Sequence, residues 1–389
     1  MIFLYITDDL AYKGEDGRFY YSVNYAIEYM LERLPRITEF ILWTRIQHKE
    51  NINNLLPFPT RVGNCKVTIT GPSVGFQNPI QWPILLAANF LKLKREVLRS
   101  NIVLLRIPML FSCLAYHLVR SNQIVTSLQV TDPQISIPLI LPKLKFMAGL
   151  LANYCKRIAS RSDKAFFVSD ALREIYGDED CGDLVCNESR LTKDMIIDTP
   201  CFDPHRPARV VYVGRLMPEK GVDTLLRAIA EVVKKMPIEL WIVGNGPIKS
   251  ELELLAKNAG ITNSIKWLGY LKWGKELFER IRQCDTLVLP SHTEALGLVT
   301  IEGMSQGLVI IGTSVGGIPE ILGHGDSGIL IPPRDHRKLA EAIEDSILDT
   351  KLRKRLITKG LKQAERNCID NGAGKMAQAI STLIEKNIK

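Results

Sequence analysis

The chain has no run of about twenty consecutive apolar residues, which a membrane-spanning helix needs. Its longest apolar neighbourhoods, Ile80–Leu91 and Ile135–Leu151, are interrupted by Pro, Gln, Asn or Lys. The opening MIFLYITDDLAY holds too short an apolar stretch and no small-residue cleavage pattern, so no signal peptide is expected. Cysteine occurs eight times, but no CxxC pair exists, and Cys181 and Cys186 are the closest two. Dithiol and zinc-knuckle chemistry therefore lack their basic spacing, and reduced, mostly buried thiols of a cytoplasmic protein are expected. The acidic triplet Asp178-Glu179-Asp180 lies in polar, loop-like sequence away from any strand end, and no metal is assigned to it. Nucleic-acid-binding motifs are missing too, and no nucleic-acid partner is expected.

One region also lacks negative charge. Between Arg61 and Arg173 there are fifteen Lys/Arg and four Asp/Glu, a local +11 in a chain whose net charge is +8. Such a field suits a polyanion, an anionic membrane surface or a phosphorylated substrate, while solvated helix faces are the plainer account. A cytoplasmic protein, peripheral on the inner face of a membrane through this basic half, fits that distribution.

With 389 residues, 46% hydrophobic and 24% charged, the chain has the length and composition of two soluble globular domains. Apolar strand-like runs alternate with helical patterns from the start: Ile2–Ile6, Glu39–Thr44, Lys66–Thr70, Ile102–Leu105, Gln123–Val130 and Lys164–Val168. Helical periods fill Val23–Leu34, Trp82–Arg99 and Pro142–Arg161, and Ser169 is placed to cap a helix starting at Asp170. Thr199–Pro207 has three prolines in nine residues and reads as a linker. A second alternation then begins: strand, glycine loop and helix, four times over, from Val210 to Pro290. This pattern predicts two parallel, doubly wound α/β domains. The boundaries read as 1–200, a linker at 201–209, 210–365, and a helical tail at 366–389 broken by Gly372 and Gly374 and packing back towards the first domain.

The chemistry concentrates between Leu289 and Pro332. Glu294 follows the strand run Thr286–Pro290, Gly297 comes next, and Glu302 sits one to two turns into the following helix. In an open α/β sheet, the crevice beyond the strands' carboxyl ends is where ligands bind. Arg215 and Lys220 leave a second strand end on a loop bounded by Gly214 and Gly221. A guanidinium and an ammonium converging there suit a diphosphate. Gly244-Asn245-Gly246 alone is a weak signal, because a third glycine and the acidic residue of a dinucleotide fingerprint are missing. Asp132 and Arg106, each at a strand end, are candidates on the first domain for a base and for an acceptor phosphate; loop capping and an ordinary surface arginine are the plainer roles.

Seven motifs occur in order: GRL-x-x-EKG at Gly214–Gly221, GxGP at Gly244–Pro247, LGY at Leu268–Tyr270, and PS-x-x-E at Pro290–Glu294. The spaced pair Glu294/Glu302, GGIPE at Gly316–Glu320 and SG-x-L-x-PP at Ser327–Pro333 complete the series. This third of the chain resembles the donor-binding domain of the family-four glycosyltransferases, retaining enzymes of the GT-B fold (glycosyl transferases group 1). The resemblance implies two Rossmann-like domains facing each other across a cleft, and transfer of a sugar from a nucleotide-diphosphate donor with neither metal nor cofactor. Arg215 and Lys220 would bind the diphosphate, and Gly214, Gly244 and Gly246 would belong to the donor-binding loops. Tyr270 and Leu271 would line the base, Glu302 the ribose, and Glu294 the transferred sugar. Leu296, Gly297 and Leu298 would offer backbone N–H groups. The acceptor would be a glycan, a lipid-linked saccharide or a small molecule, in glycan, lipid-linked oligosaccharide or polysaccharide biosynthesis. The family's early paired glycine is replaced here by the separated Gly14 and Gly17 with acids between them, which puts that acceptor-side contact in question. Two other readings share these residues: a sugar-nucleotide epimerase, which would turn over donor alone, and a non-catalytic nucleotide-sugar-binding subunit.

Overall fold

The computed structural model describes residues 1–21, 27–49, 56–72, 82–134, 142–177, 184–185, 189–198, 206–294 and 296–388. By contacts the chain divides into two units, Met1–Arg190 together with Ile369–Lys389, and Leu191–Cys368. The expected divisions at 200, 209 and 365 thus correspond to breaks at 190 and 368. Part of the predicted linker, 201–205, and the triplet 178–180 lie outside the described residues.

In the first unit β1 (Ile2–Lys13), β2 (Phe19–Tyr21) and α1 (Ile27–Glu32) are followed by β3 (Glu39–His48), β4 (Leu56–Pro57), β5 (Arg61–Val62) and β6 (Cys65–Thr70). Then come α2 (Trp82–Arg99), β7 (Ile102–Ile107), α3 (Leu110–Tyr116), β8 (Ile124–Gln129), a 3-10 turn Pro142–Met147, α4 (Ala148–Ser160), β9 (Lys164–Phe167), α5 (Asp170–Tyr176) and β10 (Leu184–Val185). The sheet order is β10-β9-β8-β7-β1-β3-β6-β5, with β2 and β4 attached beside β1. The central strands are parallel, and Phe3, Leu4, Phe40, Ile41, Leu42, Val103 and Leu105 are fully buried. Strands covered on both faces read as continuous apolar runs, which is why these were legible. Ser169 Oγ accepts from the Leu172 N–H and caps α5.

The structure corrects the reading of Gly14 and Gly17. β1 does not end at Ile6; it continues, after a register irregularity between Ile6 and Leu10, to Lys13 and pairs antiparallel with β2. Gly14–Gly17 is therefore the turn of a β-hairpin, closed by Gly17 N–H donating to Gly14 C=O at 3.1 Å. Asp16 accepts from the Arg18 N–H and from the Tyr20 hydroxyl. The acids between the glycines stabilise this turn, and the segment is not a strand-to-helix phosphate loop.

The second unit runs β11 (Ala208–Val213), α6 (Val222–Val232), β12 (Ile238–Val243), α7 (Lys249–Asn258), β13 (Ile265–Gly269), α8 (Lys275–Ile281) and β14 (Thr286–Leu289). It continues with α9 (Leu298–Ser305), β15 (Val309–Thr313), α10 (Ile318–Ile321), β16 (Ile329–Ile331), α11 (His336–Leu348) and α12 (Thr350–Arg366). Its strand order is β13-β12-β11-β14-β15-β16, and every neighbouring pair is parallel. In sequence rank that is 3-2-1-4-5-6, the Rossmann order, whose topological switch lies between β11 and β14. Val222, Leu225, Leu226, Ile229 and Val232 of α6 recur at helical spacing and are all buried against Tyr212, Leu240 and Ile242. A buried polar knot helps hold this unit: Asp285 accepts from Arg206 at 2.8 and 3.0 Å, from the Arg209 N–H at 2.8 Å and from Arg353 at 3.2 Å. The sequence offered no signal for it.

The tail is also revised. α12 ends at Arg366, a 3-10 turn covers Ile369–Asn371, and α13 (Ala373–Ile388) carries Gly374 inside its first turn. Gly374 therefore does not break the helix; the break spans 367–372. α13 packs beside α1, and the Tyr29 hydroxyl donates to Asp370.

Candidate functional site

At the topological switch of the second unit, a cavity of about 200 Å³ is lined by Tyr212, Gly214, Arg215, Lys220, Glu294 and Gly297, together with apolar neighbours. Three pieces of chain build it. The first leaves β11 at Gly214 and carries Arg215, turns through a 3-10 segment Pro218–Lys220 and enters α6. The second leaves β14 and carries Ser291 and Glu294. The third is the start of α9, whose N-cap Gly297 has φ +79°. That left-handed conformation strains any side chain, and a Cβ would also stand 3.0 Å from Leu289. The first N–H groups of a helix have no intrahelical acceptor and mark its positive end. Leu298 and Val299 bring that end to the cavity wall.

The two charges predicted for separate jobs are in contact. Lys220 Nζ donates to Glu294 Oε2 at 2.7 Å, and their side chains are only 17% and 14% exposed. Ser291 Oγ donates to the same carboxylate oxygen at 3.1 Å. Arg215, by contrast, is exposed. Its loop is fixed from within by Tyr212, whose buried hydroxyl donates to the Arg215 C=O at 2.8 Å. Burial, followed by the nearby Glu294, raises the Tyr212 phenol well above its ordinary pKa, so it stays protonated and remains a donor. Burial and then the neighbouring Arg334 lower the pKa of His292, so this imidazole adds little to the positive charge that the arginine and lysine side chains bring near neutral pH.

Gly244 and Gly246 act behind the cavity. A Cβ on Gly244 would lie 1.8 Å from the Gly214 C=O oxygen, and one on Gly246 2.1 Å from that of Leu216. The Gly244 N–H donates to Gly269 C=O at 2.7 Å. These glycines let two βα loops touch, and the Gly244 N–H is already committed to Gly269, so Gly244 supports the Arg215 loop from behind.

Glu302 is the fifth residue of α9, and its Oε1 accepts from Trp273 Nε1 at 2.6 Å. Trp273 follows Tyr270 and Leu271 on the loop after β13, where Tyr270 is 45% exposed and Leu271 half-buried, and its ring stands edge-on to Phe278. The predicted base-lining loop and the predicted ribose carboxylate are thus tied together. Sequence reasoning did not find Trp273, Tyr212 or Ser291, because contacts spanning 29, 3 and 3 positions leave no periodic trace. Trp273→Phe, which keeps the ring packing and removes the N–H, is expected to raise KM for a nucleotide donor about tenfold with kcat little changed. Steady-state kinetics would show it, and equal losses in both constants would contradict a role in placing Glu302.

The remaining candidates belong to the first unit. Asp132 accepts from the Tyr176 hydroxyl and from the Gln134 N–H, so its carboxylate organises the loop after β8. Arg106 lies in β7 opposite Leu128 of β8 and is half-buried, within the strand and not beyond its end. Among the described residues no group of three or more His, Cys, Asp or Glu is arranged to hold a metal ion.

Residues 202–363 match the model of glycosyl transferases group 1. Among curated proteins, an uncharacterized glycosyltransferase of Methanocaldococcus jannaschii is 29% identical over 163 residues, which are 42% of this chain and 42% of that protein. The similarity thus spans well under half of that relative's length. Among solved structures, sucrose-phosphate synthase from Thermosynechococcus elongatus has a TM-score of 0.72 at 17% identity, covering 99% of this chain and 100% of that one. HepE from Anabaena, in complex with UDP and glucose, has a TM-score of 0.66 at 16% identity, covering 98% and 99%. Identities so low speak for the fold alone. Residues 202–363 thus match glycosyl transferases group 1, and the fold of the chain is GT-B.

Proposed function

We propose that the protein is a retaining glycosyltransferase that moves a sugar from a nucleotide-diphosphate donor to a hydroxyl-bearing acceptor: a glycan, a lipid-linked saccharide or a small molecule. The observation that carries this reading is the cavity at the β11/β14 switch, where Arg215, Lys220 and the start of α9 meet Glu294. The match of residues 202–363 to group 1 and the UDP bound in HepE add support.

The chemistry follows from where charge develops. The bond between the anomeric carbon and the β-phosphate oxygen breaks, and its electron pair stays on the diphosphate. Positive charge builds on the sugar. Only groups that gain strength from this separation lower the barrier. Arg215, Lys220 and the helix start oppose the growing phosphate charge in a partly enclosed site, where such contacts are worth more than in water. Glu294 faces the sugar and offsets the oxocarbenium-like charge. The acceptor oxygen forms the new bond on the face the diphosphate leaves, which retains the configuration, and its proton passes to a diphosphate oxygen. Protein cations and a helix dipole supply the neutralisation, so the proposal includes neither metal nor cofactor.

The Lys220–Glu294 pair gives this scheme an order of events. A diphosphate competes with Glu294 for the Lys220 ammonium, and its arrival releases the carboxylate towards the sugar. Thermal unfolding with a panel of nucleotide-diphosphate sugars tests the reading, since a ligand bound only to the folded state raises the midpoint. One or a few donors are expected to raise it, and their nucleosides much less. A stabilising donor that is consumed without any acceptor would favour the epimerase; one that is never consumed with any acceptor would favour a binding subunit. A panel with no stabilising member would overturn the proposal.

A further inference from the structure

In the first unit, the steps β6 to β7, β7 to β8, β8 to β9 and β9 to β10 all run in the same direction across the sheet. Right-handed crossovers therefore place α2, α3, α4 and α5 together on one sheet face. Their contacts agree: α2 meets α3, α4 meets α5, and Tyr154 of α4 donates to the Cys113 C=O of α3 at 3.1 Å while stacking on His117. The inner side of this layer is ordinary, with Leu93, Val97, Ala152, Cys155 and Ile158 buried.

Its outer side is not. Every exposed large hydrophobic residue described in this unit belongs to α2, α5 or the turn leading into α4 and its start: Phe90, Leu91, Phe146, Met147, Leu150 and Ile175. Leu91, Phe146 and Leu150 are 76%, 71% and 69% exposed. Isolated exposed leucines need no explanation, but several large apolar residues gathered on one face do. Leu150, Asn153 and Arg157 repeat along the outer side of α4, with Phe146 one turn ahead. The charge around them has one sign. Lys92, Lys94, Lys145, Lys156, Arg157 and Arg161 are exposed, and none forms a salt bridge among the described residues. The acids nearby are largely spent: Glu96 is buried against Arg95 and Arg99, Asp170 is paired with Arg173 at 2.9 Å, and the exposed Asp163 accepts from the Val125 N–H, leaving Glu174 on α5.

We infer that this helical face docks on an anionic lipid bilayer, with Phe146, Met147, Leu150 and Leu91 entering the interface and the surrounding Lys and Arg lying against the headgroups. Charge complementarity selects this occupant: a second copy of the same face would bring like charges together, whereas anionic lipid meets both the apolar side chains and the cations. No described helix is long and apolar enough to cross a membrane, so the attachment is interfacial. The inference is independent of the glycosyl-transfer reading. Under that reading, it would favour an acceptor held at the membrane surface.

Co-sedimentation of the full chain with phosphatidylglycerol and with phosphatidylcholine vesicles tests the inference. Binding is expected to the first, to weaken with salt, and to be at least about tenfold weaker for the second. Phe146→Ser with Leu150→Ser should cut binding about tenfold or more, and Lys145→Gln with Arg157→Gln should do the same. Leu254→Ser with Leu348→Ser, which alters exposed apolar residues of the other unit, should leave it intact. All these side chains are exposed, and an unchanged unfolding midpoint identifies variants that fold. Donor-induced stabilisation in solution should persist in each, which separates this result from failure of the transferase reading. No binding to anionic vesicles, or binding insensitive to the Phe146 and Leu150 changes, overturns the inference. So does a variant that turns an oligomer into a monomer while vesicle binding is retained, because the face would then join protein copies.

Discussion

Glu294→Ala is expected to lower kcat by about a hundred- to a thousand-fold or more, the range for removing one preorganised charge that acts on the transition state. KM for the donor should change far less. The expectation rests on position: Glu294 leaves the carboxyl end of β14 and shares a cavity with Arg215 and the start of α9. Its backbone lies outside regular structure, and its carboxylate accepts from Lys220 at the cavity wall and from the buried Ser291. The fold should therefore survive the change, which circular dichroism and the unfolding midpoint can establish beside the kinetics. Glu294→Gln separates two roles. A side chain needed only to hold Lys220 keeps a hydrogen-bond acceptor as glutamine and should recover much of the activity, whereas one that offsets positive charge on the sugar should not. Near-normal turnover of either variant would remove Glu294 from the chemistry.

Charge reversal at Lys220 should act on binding. Lys220→Glu is expected to weaken a nucleotide-diphosphate ligand about a hundred-fold, since a charge-assisted contact is lost and a repulsion replaces it. The matching nucleoside, which has no phosphate, should bind within about threefold of its original affinity. Isothermal titration with both ligands checks this, and equal losses would contradict the assigned contact. The ammonium already sits 2.7 Å from Glu294, so the variant also sets two carboxylates together in a half-enclosed place. Like charges at that distance favour protonation of one of them. The variant's kcat should consequently recover in part as pH falls below neutrality, while the unmodified protein shows no such gain.

Much of this protein was legible from residue order. Strands buried on both faces print unbroken apolar runs, and amphipathic helices such as α6 print a period near 3.6. A β-strand that ends in glycine and opens a helix also leaves a local mark. Hence both α/β repeats, and the placement of Arg215, Lys220, Glu294 and Glu302 near strand ends, could be read before any coordinates. The hairpin at Gly14–Gly17 misled because separated glycines suit both a tight turn and a phosphate loop; the choice depended on β2 pairing back on β1. Gly374 misled because it falls in the first turn of α13, where a glycine escapes the roughly 1 kcal/mol it costs in a helix interior.

The sequence by itself determined the two-fold α/β repeat, the family motifs between Gly214 and Pro333 and the types of charge available at the candidate site. Tertiary structure alone decided that Lys220 and Glu294 touch, that Trp273 holds Glu302, that Gly244 backs the Arg215 loop, and that the exposed apolar residues of the first unit share one basic face. The reason is physical. Periodicity reports which side of an element is buried, because neighbouring residues share that constraint. A contact between residues 29 or 74 positions apart depends on strand order and crossover direction, which no local pattern records.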